Sequence, residues 1–263
     1  MKFHLYKCKV VVITDKSLIY DLPFFEHFYT LNGKYLDYEY SEKDLGIMIN
    51  RRLSWDEHCI RLVNQANQQL GLVRRMCYFF NDSAQRRALY LSLVRSIFEH
   101  CCQVWAPQTA KSLNKFDILQ KRAVKWILFQ PYAKYSDLEF LNKQKSLDLL
   151  PIQYKFLLNP IFHSHKIVYN NVNITFPNYV TRIESQDILK ITRSTNQISK
   201  GFDKLKYKCS VLPKVNAFND SFFVRSIKHW NELPLNIREI DCILKFTAAT
   251  KDHLWLILGF GPD

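Results

Sequence analysis

SWDEHCIRLVNQANQQLGLVRRMCYFF, residues 54–80, is the stretch of sequence that decides the fold. Apolar residues recur along it every three or four positions from Cys59 to Phe80, and amides fill many of the positions between them. That period is typical of an amphipathic helix that buries one stripe. Ser54 and Glu57 have the spacing of a capping box, which predicts that the helix begins there. The stretch therefore predicts a mainly helical protein.

The chain before this helix predicts strands. Residues 8–14 are rich in β-branched side chains, which favours a buried strand. Asn32-Gly33 interrupts the aromatic run 27–40 and has the composition of a type I′ turn, so we predict a hairpin. A further short strand is predicted at 45–49. Residues 1–50 are therefore expected to form a small antiparallel strand unit.

The chain after residue 80 repeats the helical period, with Asp82 in the position of an N-cap. We predict an α+β, mostly α-helical fold, with the strand unit followed by helical regions at 51–145 and 146–263. The second region contains an irregular basic arm at 170–217, with short strands at 188–193 and 207–212. The predicted helices are 83–105 (with Leu89, Leu93, Ile97, Cys101 and Val104 facing inward), 111–129, 134–142, 154–169 with a kink or break at Pro160, 219–232 and 241–258.

Net charge is the most informative property of the overall composition. Lys and Arg number 37 against 24 Asp and Glu, which gives a net charge of +13. A basic surface favours polyanions because each neutralised phosphate releases counterions, so nucleic acid is the expected partner. A merely lysine-rich soluble protein is the alternative. The seven cysteines form no CxxC pair, which favours reduced thiols and an intracellular protein. No apolar run is long enough to predict a membrane segment.

Basic side chains concentrate in two places. One set belongs to the predicted helix 111–129, where Lys111, Lys115 and Arg122 share a stripe opposite the apolar one. The other set flanks the turn between the first two helices. Brought together, these residues would line a groove that follows phosphates, and a solvated charged face is the alternative. The candidate nucleic-acid-binding residues are Arg74, Arg75, Arg86, Arg87, Lys111, Lys115, Lys121, Arg122 and Lys125.

Two weaker signals lie elsewhere. The basic arm from Lys200 to Lys214 includes Phe202 and Tyr207, which could stack bases, and an ordinary surface loop is an equal alternative. His100-Cys101-Cys102 and His58-Cys59 lack the spacing of a zinc site, so we predict no metal site. The tryptophans predicted to lie in the core are Trp55, Trp105, Trp126 and Trp230.

An ordered set of short motifs resembles the region that follows the polymerase active site in non-LTR retrotransposon reverse transcriptases of the jockey and CR1 kind. The motifs keep the order that they have in that family. They are KCKV at 7–10, KDLGI at 43–47, LSWDEH at 53–58, ANQQLGLVRR at 66–75, YLSLVRSIFEHCCQVWAP at 90–107, LQKRAVK at 119–125, LDLLPIQY at 147–154, TRS at 192–194 and WNELP at 230–234.

The resemblance implies that residues 1–50 are a remnant of the palm strands, 51–145 a thumb-like helical bundle and 146–263 the region beyond. The implied partner is RNA or an RNA–DNA duplex, together with the missing N-terminal polymerase portion. Reverse transcription needs clustered carboxylates for two Mg²⁺ ions, and the family supplies two adjacent aspartates. This sequence has no Asp-Asp pair, and the "LN" that leads into the Lys7 strand in the family is absent too.

The expected function is therefore that of a reverse-transcriptase fragment that lacks the catalytic aspartates and binds template–primer at most. It resembles an RNA-directed DNA polymerase but should be inactive alone, and Mg²⁺ would be needed only by the missing palm site. Lys7 resembles a lysine that assists leaving-group protonation in such polymerases, a role that is empty without metal. Two alternatives stay open. One is a structural or adaptor protein or a functionless translated relic, and the other is a thumb subunit of an active polymerase assembled in trans.

Overall fold

The computed structural model describes residues 8–13, 29–107, 109–183, 205–210, 218 and 220–260. Short strand pairs precede a helical body, which confirms the predicted α+β, mostly helical class. The strands are β1 (Lys9–Val10), β2 (Thr30–Leu31), β3 (Lys34–Tyr35), β4 (Asp37–Tyr38), β5 (Ser41–Asp44), β6 (Ile47–Asn50), β7 (Val180–Arg182) and β8 (Tyr207–Cys209). The helices are α1 (Asp56–Met76), α2 (Ser83–Leu89), a π-helical segment (Tyr90–Arg95), α3 (Ser96–Glu99), α4 (Cys102–Trp105), α5 (Ala110–Ile127), α6 (Asp137–Ser146), α7 (Ile152–Val168), α8 (Phe222–Glu232), α9 (Leu235–Arg238) and α10 (Ile243–Ile257).

The hairpin centred on Asn32-Gly33 is confirmed. Both residues have the positive φ that a type I′ turn requires, and β2 pairs with β3 in antiparallel register. A second hairpin joins β5 to β6 through Leu45 and Gly46, which also have positive φ. The predicted strand at 45–49 therefore began two residues too early. The predicted buried strand at 8–14 is wrong over the residues described, because β1 is two residues long, only half-buried and paired parallel to β4.

Helix α1 begins at Asp56, and the capping box predicted at Ser54 does not form. Trp55 occupies the N-cap position without a side-chain hydrogen bond. The Asn50 side chain instead accepts from the Ser54 N–H and donates to the Ser54 carbonyl, which holds the chain before the helix. A complete capping box starts α6, where Ser136 and Glu139 bond each other's backbone N–H.

The predicted helix 83–105 is present but interrupted. Asp82 accepts from the Ala84 N–H and caps α2 as predicted. The π-helical segment follows, and a left-handed residue, Cys101, separates α3 from α4. The predicted inward stripe (Leu89, Leu93, Ile97, Cys101 and Val104) is wrong by one position, because the buried residues are Arg86, Tyr90, Val94, Arg95, Phe98, Cys102 and Trp105. Polar Arg86 and Tyr90 suggested a surface, but both find interior partners.

Three buried apolar clusters lie in the described residues, and the two larger ones are the main cores of the helical body. The first packs α1, α2–α4 and α5 together, with the rings of Trp105, Phe116 and Phe156 in contact. It includes residues as far along as Phe156, beyond the boundary predicted after residue 145. The second core lies among α7, β7–β8 and α8–α10, where His165 stacks on Phe246 at 4.2 Å. Helix α7 is continuous through Pro160, so the predicted break is absent.

The basic arm is described only in part. Strand β7, which was not predicted, pairs antiparallel with β8, so the strand predicted at 207–212 is confirmed for its first three residues. The strand predicted at 188–193 and most of the stretch from Lys200 to Lys214 lie outside the described residues. Within the described part of the chain, no helix is both long enough and apolar enough to cross a bilayer.

Replacing Ser136 by Ala should lower the free energy of unfolding by about 1 kcal/mol, because one N-terminal N–H of α6 loses its acceptor. Ser54→Ala is the matched control and should change it by less than about 0.5 kcal/mol, since no capping box forms at α1. Urea unfolding of both variants measures the difference. Equal losses would contradict the assignment of the caps.

His58 should make stability depend on pH. The ring is 2% exposed, and its Nδ1 accepts from the Met48 N–H. Burial, with smaller contributions from Arg61 and His100, lowers the pKa of His58 to about 4. The folded state therefore resists a proton that the unfolded chain accepts near its ordinary pKa of about 6.5.

The free energy of unfolding should consequently fall by up to about 3 kcal/mol as pH drops from about 6.5 to about 4. His58→Gln should make this fall shallower, while the exposed neighbour variant His100→Gln should retain it. Denaturant unfolding at a series of pH values tests this. An unchanged slope in His58→Gln would mean that other groups cause the acid instability.

Candidate nucleic-acid interface

Helices α1 and α5 lie side by side and run in the same direction. At their N-terminal ends, Asp56 of α1 accepts from the hydroxyls of Ser112 at 2.6 Å and Thr109 at 3.3 Å. Further along, the Arg122 guanidinium donates to the Asn67 side chain of α1 at 3.0 Å. The two contacts advance together along both helices, so the two C-terminal ends also lie at one end of the bundle.

The face of α5 that points away from the core is strongly basic. At 100° per residue, an arc of about 120° opposite the buried stripe contains five basic residues, one amide and one isoleucine. The half-buried Asp117 lies just outside this arc, on the side of Lys121. We call the five the basic face: Lys111, Lys115, Lys121, Arg122 and Lys125. The structure thus brings together every candidate residue that was predicted on this helix.

Most of the basic face is open to solvent. Lys111, Lys121 and Arg122 are exposed, and Lys115 and Lys125 are half-buried. Lys121 reaches Asp137 of α6 at 3.7 Å, a fully exposed carboxylate. Such an ion pair contributes little energy in water, so the lysine remains available to a phosphate.

Arg74 and Arg75 lie in the last turn of α1 and are exposed. Because α1 and α5 are parallel, both arginines lie at the same end of the bundle as Lys125. They extend the positive charge past the end of the basic face. The carbonyl groups that end α1 attract these cations, which helps to stabilise the helix.

Arg86 is not part of an exposed surface, and this corrects its place among the candidates. It is 7% exposed. Its guanidinium donates to the carbonyls of Phe80 at 2.8 Å and Trp126 at 2.7 Å, with a longer bond to Tyr78 at 3.4 Å. Its plane also lies 3.7 Å from the Phe129 ring centroid. Arg86 therefore joins the loop after α1 to the end of α5.

The Arg87 side chain also makes its contacts within the protein. It is half-buried, donates to the Leu147 carbonyl and pairs with Asp148 at 3.3 Å. These contacts tie α2 to the chain before α7. Of the two arginine pairs predicted to line the groove, only Arg74-Arg75 faces solvent. The sequence contains one indication that Arg86 is buried, because it lies four residues before Tyr90 on the same helical stripe as the buried residues.

The burial of the aromatic residues agrees with the prediction for the tryptophans and differs from it for Tyr207. Trp105, Trp126 and Trp230 are buried and Trp55 packs against the first core, as predicted. Tyr207 is buried as well, so it is not a surface for base stacking. A group of exposed aromatic residues lies elsewhere and was not predicted. The apolar stripe predicted for the first helix ran on to Phe80, past the end of α1 at Met76. We call them, with that methionine, the terminal aromatic patch: Met76, Tyr78, Phe79, Phe129 and Tyr132.

The strand carboxylates are engaged by a lysine. Asp37 and Glu39 lie on one face of the strand unit, where Lys9 reaches them at 2.8 and 3.6 Å. These contacts raise the pKa of Lys9, with the hydrogen bond to Asp37 the largest cause. Over the ranges that the structure describes, no three His, Cys, Asp or Glu side chains are grouped closely enough to hold a metal ion.

Part of the chain is similar in sequence to a known transposon protein. The chain is 28% identical over 104 residues to a protein described as a probable RNA-directed DNA polymerase from transposon BS of Drosophila melanogaster. The matched region is 39% of this chain and 12% of that protein, so only a small part of the relative is represented. No family model and no solved structure matches the chain. The similarity supports a relationship to transposon reverse transcriptases.

Arg86→Ala should lower the free energy of unfolding by about 3 kcal/mol, because it removes the buried guanidinium that donates to the Phe80 and Trp126 carbonyls and stacks on Phe129. Arg87→Ala, at the half-buried neighbouring position, should cost about 1 kcal/mol. Urea unfolding measures both. A loss in Arg86→Ala no greater than that in Arg87→Ala would show that the buried guanidinium does not hold the two chain segments together.

Proposed function

We propose that this chain is part of a transposon reverse transcriptase and binds the backbone of an RNA or RNA–DNA duplex through the basic face. The observation that carries the proposal is the exposed arc of α5, which has five basic side chains and no acidic one. A net charge of +13 and the similarity to a transposon RNA-directed DNA polymerase support it. The order of the motifs at 43–58 and 90–107 supports the finer assignment to the jockey and CR1 kind.

The spacing of the basic residues suits phosphates better than bases. Lys111 and Lys125 are fourteen residues apart, which on a helix is about 21 Å. A duplex presents several phosphates over that length. Lysines bind these as point charges and read little sequence, so binding should be largely independent of sequence.

The proposed role is to hold nucleic acid rather than to polymerise it. Polymerisation requires paired metal ions held by clustered carboxylates, and the sequence has no Asp-Asp pair. Asp37 of β4 and Glu39 just after it are bound by Lys9. In this proposal the catalytic aspartates belong to the N-terminal polymerase portion, and this chain contributes the thumb-like grip.

The affinity for an RNA–DNA hybrid should fall steeply with salt. Fluorescence anisotropy across a salt series measures log K against log salt, whose slope reports the number of phosphates contacted. In the triple variant Lys111→Gln, Lys115→Gln and Arg122→Gln, the slope should decrease by about 3 and low-salt affinity by roughly 100-fold. Lys245→Gln, an exposed lysine of α10, is the matched control and should change neither.

Absence of binding by the unaltered chain at low salt would sink the proposal. It would favour a structural or adaptor protein, or a relic without function. An equal loss per charge removed in the triple variant and in Lys245→Gln would show that only net charge matters. The trans-assembled alternative has its own assay, in which the chain is mixed with an N-terminal polymerase fragment. Primer extension that requires both the chain and the N-terminal fragment, and that is lost in the triple variant of the basic face, would extend the proposal to an active enzyme.

A further inference from the structure

The terminal aromatic patch is an exposed apolar surface beside positive charge. Tyr78 is 75% exposed and Tyr132 is 94% exposed, with Met76, Phe79 and Phe129 also open to solvent. Isolated apolar side chains are common on surfaces, but here Met76 ends α1 and the other four come from the two loops that follow α1 and α5. Because those helices are parallel, the loops lie at one end of the bundle.

The two loops are fixed to each other rather than independent. Arg86 donates to carbonyls of the first loop and stacks on Phe129 of the second. Phe129 has φ of 58°, a left-handed conformation that costs a non-glycine residue about 1 kcal/mol. A glycine would avoid that cost but would lose the ring on which the guanidinium rests. The first loop and Phe129 are therefore held in place before any ligand arrives.

The charge around the patch favours an anionic occupant. Arg74 and Arg75 precede it in the chain, and Lys134 follows Tyr132 by two residues; all three are exposed. The acidic residue that follows the first loop is Asp82, and its carboxylate is occupied in capping α2. Open aromatic rings combined with free cations are the two features that bind unpaired nucleotides.

We propose that the terminal aromatic patch stacks the bases of an unpaired nucleic-acid strand while Arg74 and Arg75 bind its phosphates. This inference rests on the proposed function and deepens it, because the strand continues from the duplex held by the basic face. Lys125, near the end of α5, lies where the two surfaces meet. The chain thus binds the junction between a duplex and a single strand, with stacking that is tolerant of sequence.

The test compares a blunt RNA–DNA hybrid with the same hybrid carrying an unpaired extension. The unaltered chain should bind the extended hybrid more tightly. The double variant Tyr78→Ala and Tyr132→Ala should lose about 5- to 30-fold in affinity for the extended hybrid, and affinity for the blunt hybrid should change by less than twofold. Tyr78→Phe and Tyr132→Phe should retain binding, because the ring rather than the hydroxyl stacks.

Tyr35→Ala is the matched control, since this tyrosine is 71% exposed but lies in the first hairpin. A 2-aminopurine base in the extension supplies a second readout, because stacking changes its fluorescence. That change should occur with the unaltered chain and disappear in the double alanine variant. Since both tyrosines are largely exposed, the variant should fold, and urea unfolding confirms this.

Three results would overturn the inference. The first is a blunt hybrid that binds as tightly as the extended one, which leaves the proposed function standing. The second is an equal loss for both hybrids in the double variant. The third is a concentration-dependent dimer, seen by sedimentation, that the double variant abolishes, because the patch would then be an interface between two copies. Failure to bind either hybrid would instead refute the proposed function itself.

Discussion

One buried guanidinium determines the geometry of the surface that matters most. Arg86 comes from α2, and its N–H groups and its plane are used within the protein. It donates to carbonyls of the loop after α1 and to the Trp126 carbonyl in the last turn of α5. Together with the Asp56–Ser112 and Arg122–Asn67 hydrogen bonds, this contact holds α1 and α5 beside each other. The sequence placed Arg86 among the exposed basic residues, but it helps to position the helices that carry them.

The sequence predicted the elements whose signals are local. The Asn32-Gly33 turn, the Asp82 cap and the apolar stripe of α5 follow from residue type and spacing alone, and the structure confirms them. The basic face was also predictable, because a helical arc can be drawn from sequence.

The errors at Arg86 and along the stripe of α2–α4 share one cause, which is that polar groups can be buried when distant atoms satisfy them. Arg86 is matched with Trp126, forty residues away, and Tyr90 with Gln120. No local pattern predicts either partner, so the stripe of α2–α4 was placed one position too early. The capping box at Ser54 failed for a similar reason, since Asn50 already occupies the Ser54 backbone. The terminal aromatic patch was missed because hydrophobicity alone does not show where a helix ends.

Helix α7 gives the protein a property that neither core would have alone. Its first half, with Ile152 and Phe156, completes the first core, and Ile161 in its second half belongs to the other core. The helix passes through Pro160 without a break. Melting of either half would remove apolar side chains from the core that this half helps to form. The two halves are therefore coupled in a single cooperative unit, and amides on either side of Pro160 should exchange their hydrogens together.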